Sequence, residues 1–207
     1  MTAPIPHLVL FARYPTPGEC KTRLIPAIGA EAAAELHRDL TERTVDLLCS
    51  SGAPVTIAST GAKPAAFQDW LGERISVEEQ VRGGLSERLL AFTDRAPLIF
   101  FGADTPDLTL AHIDAAIEGL ATHEVVIGPA TDGGYYLIGM RKPFPELVAN
   151  MPWSTDQVLR ETLRRLDAIG VEPFLLDPLS DCDRPADLKL WPQLTTRQKA
   201  AAAQSVG

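Results

Sequence analysis

The sequence predicts an α/β protein with a mostly parallel sheet and helices on both of its faces. Short apolar runs around Val9, Ile99 and Val126 have the length and continuity of strands buried on both sides. The segments between them are longer and repeat Leu, Ile and Val at helical spacing. The two kinds alternate along most of the chain, which is the pattern of a sheet with helices on its faces. With 207 residues, 45% of them hydrophobic and 22% charged, the chain suits one globular domain with a substantial core.

His7-Leu-Val-Leu-Phe-Ala-Arg13 reads as the first strand, and a loop rich in Pro and Gly follows it. A helix lies within 30–50, where Leu36, Leu40, Leu47 and Leu48 fall near one face. Gly52 and Pro54 end it, and 55–59 is the second strand. A short helix covers 67–71, and 75–80 alternates weakly as a third strand. Gly83-Gly84 breaks the chain before an amphipathic helix carrying Leu85, Leu89, Leu90 and Phe92. Residues 97–102 form the next strand, and 109–121 a helix with Leu110, Ile113, Ile117 and Leu120 in register. Residues 125–128 are another buried strand. Thr131-Asp-Gly-Gly134 turns it into a partner over 135–139, which makes the sheet mixed. Ser154-Thr-Asp-Gln157 has the form of a capping box opening a helix over 154–167. A last strand is expected over 171–177, a short helix from Arg184, and an Ala-rich terminal helix over 195–204. No repeat or linker interrupts residues 1–207, so a single domain is expected.

A net charge of −8, from 19 basic and 27 acidic residues, argues against a nucleic-acid partner. Cys20, Cys49 and Cys182 are odd in number and widely spaced, so neither a disulfide framework nor a zinc site is indicated, and a reducing cytoplasm is expected. No apolar stretch approaches the ~20 residues that span a bilayer. The N-terminus lacks the basic and apolar regions of a signal peptide.

Four segments carry candidate chemistry. Gly102-Ala-Asp104-Thr-Pro106 delivers a carboxylate to the carboxyl edge of the sheet, where ligands bind in open α/β folds. Asp104 either holds a divalent metal or opens a turn. Gly18-Glu-Cys-Lys21-Thr-Arg23 lies at the same edge, with a flexible turn and two cations for phosphate oxygens; the alternative is a solvated surface loop. Thr131-Asp132-Gly133-Gly134 offers an acceptor beside close-approach glycines, or a plain hairpin turn. Asp183-Arg184-Pro185 offers a second metal ligand, or a helix N-cap. Trp153, before a helix, forms either an apolar wall or part of the core. His7, His37, His112 and His123 form no metal-binding spacing, and the last three read as solvated residues on or beside helices. No G-x-S-x-G elbow is present, which weakens a hydrolase reading.

Together, Phe11-Ala-Arg13-Tyr-Pro-Thr-Pro-Gly18-Glu-Cys-Lys21-Thr-Arg23-Leu, Gly102-Ala-Asp104-Thr-Pro106-Asp-Leu, Gly128-Pro-Ala-Thr-Asp132-Gly-Gly-Tyr-Tyr-Leu-Ile-Gly139 and Trp153-Ser-Thr-Asp-Gln-Val158 resemble the DUF2064 family. That family is grouped with GT-A-type glycosyltransferases and nucleotide-diphospho-sugar transferases. The resemblance implies a Rossmann-like GT-A three-layer sandwich. It implies nucleotide and phosphate binding by Arg13, Gly18, Lys21 and Arg23. It implies a magnesium or manganese ion on Asp104 and Asp183, and catalysis by Asp104 and Asp132. Substrate contacts fall to Gly133, Gly134, Tyr135, Trp153, Ser154 and Thr155. Arg184 departs from the Thr common in related nucleotidyltransferases, and Gly102-Ala-Asp104 is no D-x-D. The expected reaction is glycosyl transfer from a nucleotide sugar to a small-molecule acceptor. The alternatives are nucleotidyl transfer from a nucleoside triphosphate and non-catalytic nucleotide-sugar binding.

Overall fold

The computed structural model describes residues 4–73 and 75–194. The strands are β1 (His7–Arg13), β2 (Val55–Thr60), β3 (Ser76–Glu79), β4 (Leu98–Phe101), β5 (Val125–Pro129), β6 (Tyr135–Met140) and β7 (Phe174–Leu175). The helices are α1 (Ile25–Ile28), α2 (Ala30–Ser50), α3 (Pro64–Leu71), α4 (Leu85–Thr93), α5 (Leu110–Thr122) and α6 (Val158–Ala168). The strands form one seven-stranded sheet in the order β3-β2-β1-β4-β6-β5-β7. All neighbours are parallel except β6, which runs antiparallel to both β4 and β5.

Successive side chains of a strand point to opposite faces, so a strand apolar throughout needs cover on both. β1 sends Leu8, Leu10 and Ala12 into one apolar cluster and Val9 into another. β4 divides Ile99 and Phe101 from Leu98 and Phe100 in the same way. The first cluster takes in Val45 and Leu48 of α2, Phe67 of α3 and Ile113 of α5; the second takes in Leu89 and Phe92 of α4 and Leu166 of α6. The result is the three-layer α/β sandwich that the sequence predicts. β1 and β4 are neighbours although β2 and β3 intervene in the chain. Their carboxyl ends therefore lie side by side, at the switch in strand order where α/β sheets bind ligands.

Several local expectations change. α6 starts at Val158 and not at 154, because Ser154 adopts a left-handed backbone (φ 63°) that no helix continues. The Ser154 capping box is therefore absent; Thr155 instead donates to Pro152 O at 2.7 Å and closes a turn. A capping box does form at α5, where Thr109 pairs with His112. The last strand shrinks to two residues at the sheet edge. The helix expected from Arg184 is a single 3-10 turn over Asp187–Lys189. The terminal helix over 195–204 lies outside the described residues.

Close packing fixes the hairpin. A Cβ on Gly139 would lie 2.6 Å from Val126 Cγ1 and 2.9 Å from Ile99 Cγ1, both inside the sheet core. Gly139→Ala is expected to lower unfolding stability by about 1–3 kcal/mol through overpacking. An unchanged urea midpoint would contradict this packing.

Candidate functional site

The loop after β1 turns inward at Lys21, whose backbone is left-handed (φ 46°), an uncommon state for a residue with a Cβ. Gly18 (φ 84°) makes the earlier turn at no steric cost. The Lys21 ammonium lies 2.6 Å from Asp104 Oδ1 and 2.8 Å from Asp183 Oδ1, and donates to Cys182 O at 2.7 Å. Only 3% of its side chain is exposed, against 40% for each aspartate. Burial alone lowers a lysine pKa, but Asp104 and then Asp183 outweigh it and hold the ammonium above its ordinary value. Burial likewise pushes the Asp104 carboxyl up, and Lys21 outweighs that to bring it below its ordinary value. Asp104 and Asp183 thus come together with Lys21 between them.

His37 corrects the sequence reading, which put it in solvent. It is buried on α2, and its ring Nε2 lies 2.9 Å from Arg13 O. A carbonyl only accepts, so Nε2 carries the proton and neutral His37 turns its bare Nδ1 toward Asp104 Oδ1, 4.0 Å away. Burial lowers its pKa, against the opposing pull of Asp104, which keeps it neutral near pH 7. The signal was present: Ala33, His37, Leu40 and Thr41 share one helical stripe and are all buried.

The segment after β7 is tied to the loop after β4 by three bonds. Thr105 Oγ1 donates to Asp181 Oδ1 at 2.6 Å, Cys182 N to Asp104 O at 2.8 Å, and Trp191 Nε1 to Asp107 Oδ1 at 3.0 Å. Asp187 Oδ2 accepts from the backbone N–H groups of Asp183 and Arg184, so Asp187 and not Asp183 caps this turn. Asp181 was missed, although Asp181-Cys-Asp183 is itself a D-x-D. Burial, opposed by the Thr105 hydroxyl and aided by Asp104, Asp132 and Asp183, pushes its carboxyl up to about 6.

Two adjoining hollows open here and share Arg23 and Asp183. The smaller, about 310 Å³, is lined by Arg13, Lys21, His37 and Asp104. The larger, about 800 Å³, has apolar walls that include Phe11, Leu85 and Trp153, and a polar side with Asp132, Asp181 and Arg184. Trp153 is anchored by Nε1 to Ser86 Oγ (2.9 Å) and meets Tyr135 edge to face at 6.1 Å. The Tyr135 hydroxyl points into the interior, where burial raises its pKa. Ser154 and Thr155 are exposed at the rim. Asp132 accepts from Gly134 N at 2.9 Å, an Asx turn that leaves its carboxylate exposed in the cavity wall. Gly133 lines neither hollow: its absent Cβ would run into the Asp156 backbone carbonyl, and its own carbonyl accepts Leu159 N. It seats the turn on the start of α6.

No group of three or more His, Cys, Asp or Glu among the described residues is arranged to hold a metal. The convergent oxygens at Lys21 come from two carboxylates and a carbonyl. No helix among the described residues is long and apolar enough to cross a membrane.

A family model described as "Uncharacterized protein conserved in bacteria (DUF2064)" matches residues 44–155. No protein of curated function matches the sequence. A structure from Desulfovibrio desulfuricans G20, provisionally named a nucleotide-diphospho-sugar transferase, is 26% identical, with a TM-score of 0.82 over 96% of this chain and 99% of that one. The inositol-1-phosphate CTP transferase of T. maritima superposes with a TM-score of 0.57 at 13% identity, over 96% and 98% of the two chains. Glucosyl-3-phosphoglycerate synthase of Mycobacterium tuberculosis, solved with Mn²⁺, UDP and glucosyl-3-phosphoglycerate, gives 0.53 at 14% identity, over 97% and 79%. The last two likenesses are of fold: the sandwich is that of GT-A and nucleotidyltransferase enzymes.

Between its ordinary value of 3.8 and about 6, Asp181 keeps a proton in the folded protein that the unfolded chain releases. Stability therefore falls as pH rises through that window. Asp181→Asn removes the penalty and keeps an acceptor for Thr105. We expect it to stabilise the protein by about 1–2 kcal/mol at neutral pH, discounted for partial exposure, and not near pH ~4. Urea unfolding in EDTA at both pH values checks this; an equal effect at both would contradict the buried carboxyl.

Proposed function

The chain belongs to the DUF2064 family, and on that premise we propose that it is a divalent-cation-dependent transferase that moves a glycosyl group from a nucleotide sugar to a small acceptor. One observation carries the reading. Two carboxylates and a carbonyl converge on a single cation position at the switch in strand order, beside a cavity of about 800 Å³. The Lys21 ammonium is a stand-in ion there, and an all-oxygen donor set suits Mg²⁺ or Mn²⁺. Asp104 and Asp183 would hold the metal. When bound, such an ion neutralises charge on a departing diphosphate.

The protein's own groups do the rest. Arg13 and Arg23 line the smaller hollow, with Arg23 also facing the larger, and grip phosphate oxygens. Trp153 and Tyr135 close the apolar side of the larger cavity and keep water from it. The exposed Asp132 accepts a hydroxyl of the sugar or the acceptor. Ser154 and Thr155 contact the acceptor at the rim. Free thiols at Cys20, Cys49 and Cys182 suit the reducing cytosol.

Nucleotidyl transfer from a triphosphate is the second reading, favoured by the likeness of fold to a CTP transferase and by three cations, Arg13, Lys21 and Arg23, at one hollow. Incubation with labelled GTP and with labelled UDP- and GDP-sugars separates them. Glycosyl transfer releases nucleoside diphosphate; pyrophosphate release without it would sink the glycosyltransferase reading. Nucleotide binding with no turnover would indicate a sensor. Asp104→Asn is expected to lower kcat/KM at least about a hundredfold, from several kcal/mol of lost charge stabilisation. Unchanged metal-dependent turnover would remove Asp104 from the site.

A further inference from the structure

A side chain of the protein itself fills the place between Asp104 and Asp183. Lys21 Nζ donates to Cys182 O at 2.7 Å and to Asp183 Oδ1 at 2.8 Å, and its charge is paired with Asp104 Oδ1 at 2.6 Å. The left-handed backbone at Lys21 (φ 46°) directs the side chain inward, and 3% of it is exposed. A divalent cation and this ammonium cannot share one set of oxygens, because like charges at contact distance repel strongly where little water screens them.

We infer that Lys21 is an internal competitor for the divalent cation: it holds the cation position in the ligand-free protein and exchanges it for the phosphates of an incoming nucleotide when the metal enters. This rests on the metal-dependent reading above and adds an order of binding to it. The exchange has a destination. Lys21 lines the same hollow of about 310 Å³ as Arg13 and Arg23, so an anion bound there sits within the reach of its flexible stem. Metal arriving alone must drive the ammonium toward Arg13 and Arg23, where the carboxylates at hand are already engaged: Glu19 pairs with Arg13 at 3.5 Å, and Asp183 is itself a ligand of the metal. Metal arriving with a polyphosphate supplies a further anion. Metal and phosphate therefore bind with positive coupling, and metal alone binds weakly.

The test is a calorimetric titration of Mn²⁺ alone into the wild-type protein and Lys21→Met, which keeps the apolar stem. Lys21→Met is expected to bind Mn²⁺ at least about tenfold more tightly, since the occupied fraction no longer taxes the affinity. With UDP or GTP present, the wild type is expected to gain affinity for Mn²⁺ and the variant to gain less. Equal or weaker Mn²⁺ binding by Lys21→Met, or binding by neither protein, overturns the inference. Loss of the ammonium leaves two carboxylates facing each other, which can unfold the variant. The wild type is therefore also followed through the ¹H–¹⁵N signal of its lysine ammonium groups, Lys21 being shielded from water exchange. That signal is expected to vanish on saturation with Mg²⁺, at lower Mg²⁺ when UDP or GTP is present. A signal that persists at saturation overturns the inference. Competition without turnover of any nucleotide donor upholds it and removes the transferase reading instead.

Discussion

The ammonium of Lys21 joins three segments that the chain keeps far apart: the loop after β1, the loop after β4 and the segment after β7. A charge this deeply buried is tolerated only with close partners, and breaking such a pair costs more than the pair contributes. The contact therefore acts as a constraint on the whole carboxyl edge. Asp104 and Asp183 stand at a separation set by one shared nitrogen. Three further bonds, from Thr105, Cys182 and Trp191, hold the last two segments together independently of Lys21. The frame can thus keep its shape while its occupant changes.

The sheet explains why these loops meet at all. β1 and β4 pair directly, from His7 against Leu98 to Leu10 against Phe101. Both are covered on two faces, so neither can slide without exposing apolar surface to water. α2 then runs beneath the edge and presents His37 under Asp104, its tautomer fixed by Arg13 O. The helix that builds the core also supplies a neutral floor to the site. A charged residue in place of His37 would face Lys21 or Asp104 in the interior and upset the balance that keeps both ionised.

Much of this was legible. β1 and α2 fall where the apolar run and the leucine spacing put them, and the Asp-Gly-Gly turn does join an antiparallel pair. Where the sequence misleads, a tertiary contact overrides a local pattern. Ser154-Thr-Asp-Gln157 has the letters of a capping box, yet Gly133 packs against Asp156 and holds that segment in a turn. The last strand has the apolar residues for greater length, but at the sheet edge it finds only β5 to pair with. In the site, the aspartates and cations announce themselves by position after strands. His37 needed the buried stripe of α2 to be counted as apolar in spite of its ring. The Cys182 carbonyl has no side-chain signature, so no sequence pattern could mark it as an acceptor.

Charge at the edge links the parts. Two carboxylates share one lysine, and Asp132 and Asp181 add acid to the larger cavity. Such a wall repels a polyphosphate that arrives without a counter-ion. Arg13 and Arg23 offset this on one side only, at the smaller hollow. If Lys21 is released as proposed, a ligand that carries both a cation and phosphates meets complementary charge at each place: the cation among the carboxylates, the phosphates among Arg13, Arg23 and Lys21. Linkage makes that preference reciprocal, so whatever factor the metal adds to phosphate affinity, phosphate adds to the metal's. On the proposed exchange, the arrangement favours the metal–nucleotide complex over either component, without a moving domain, through one side chain that has two places to bind.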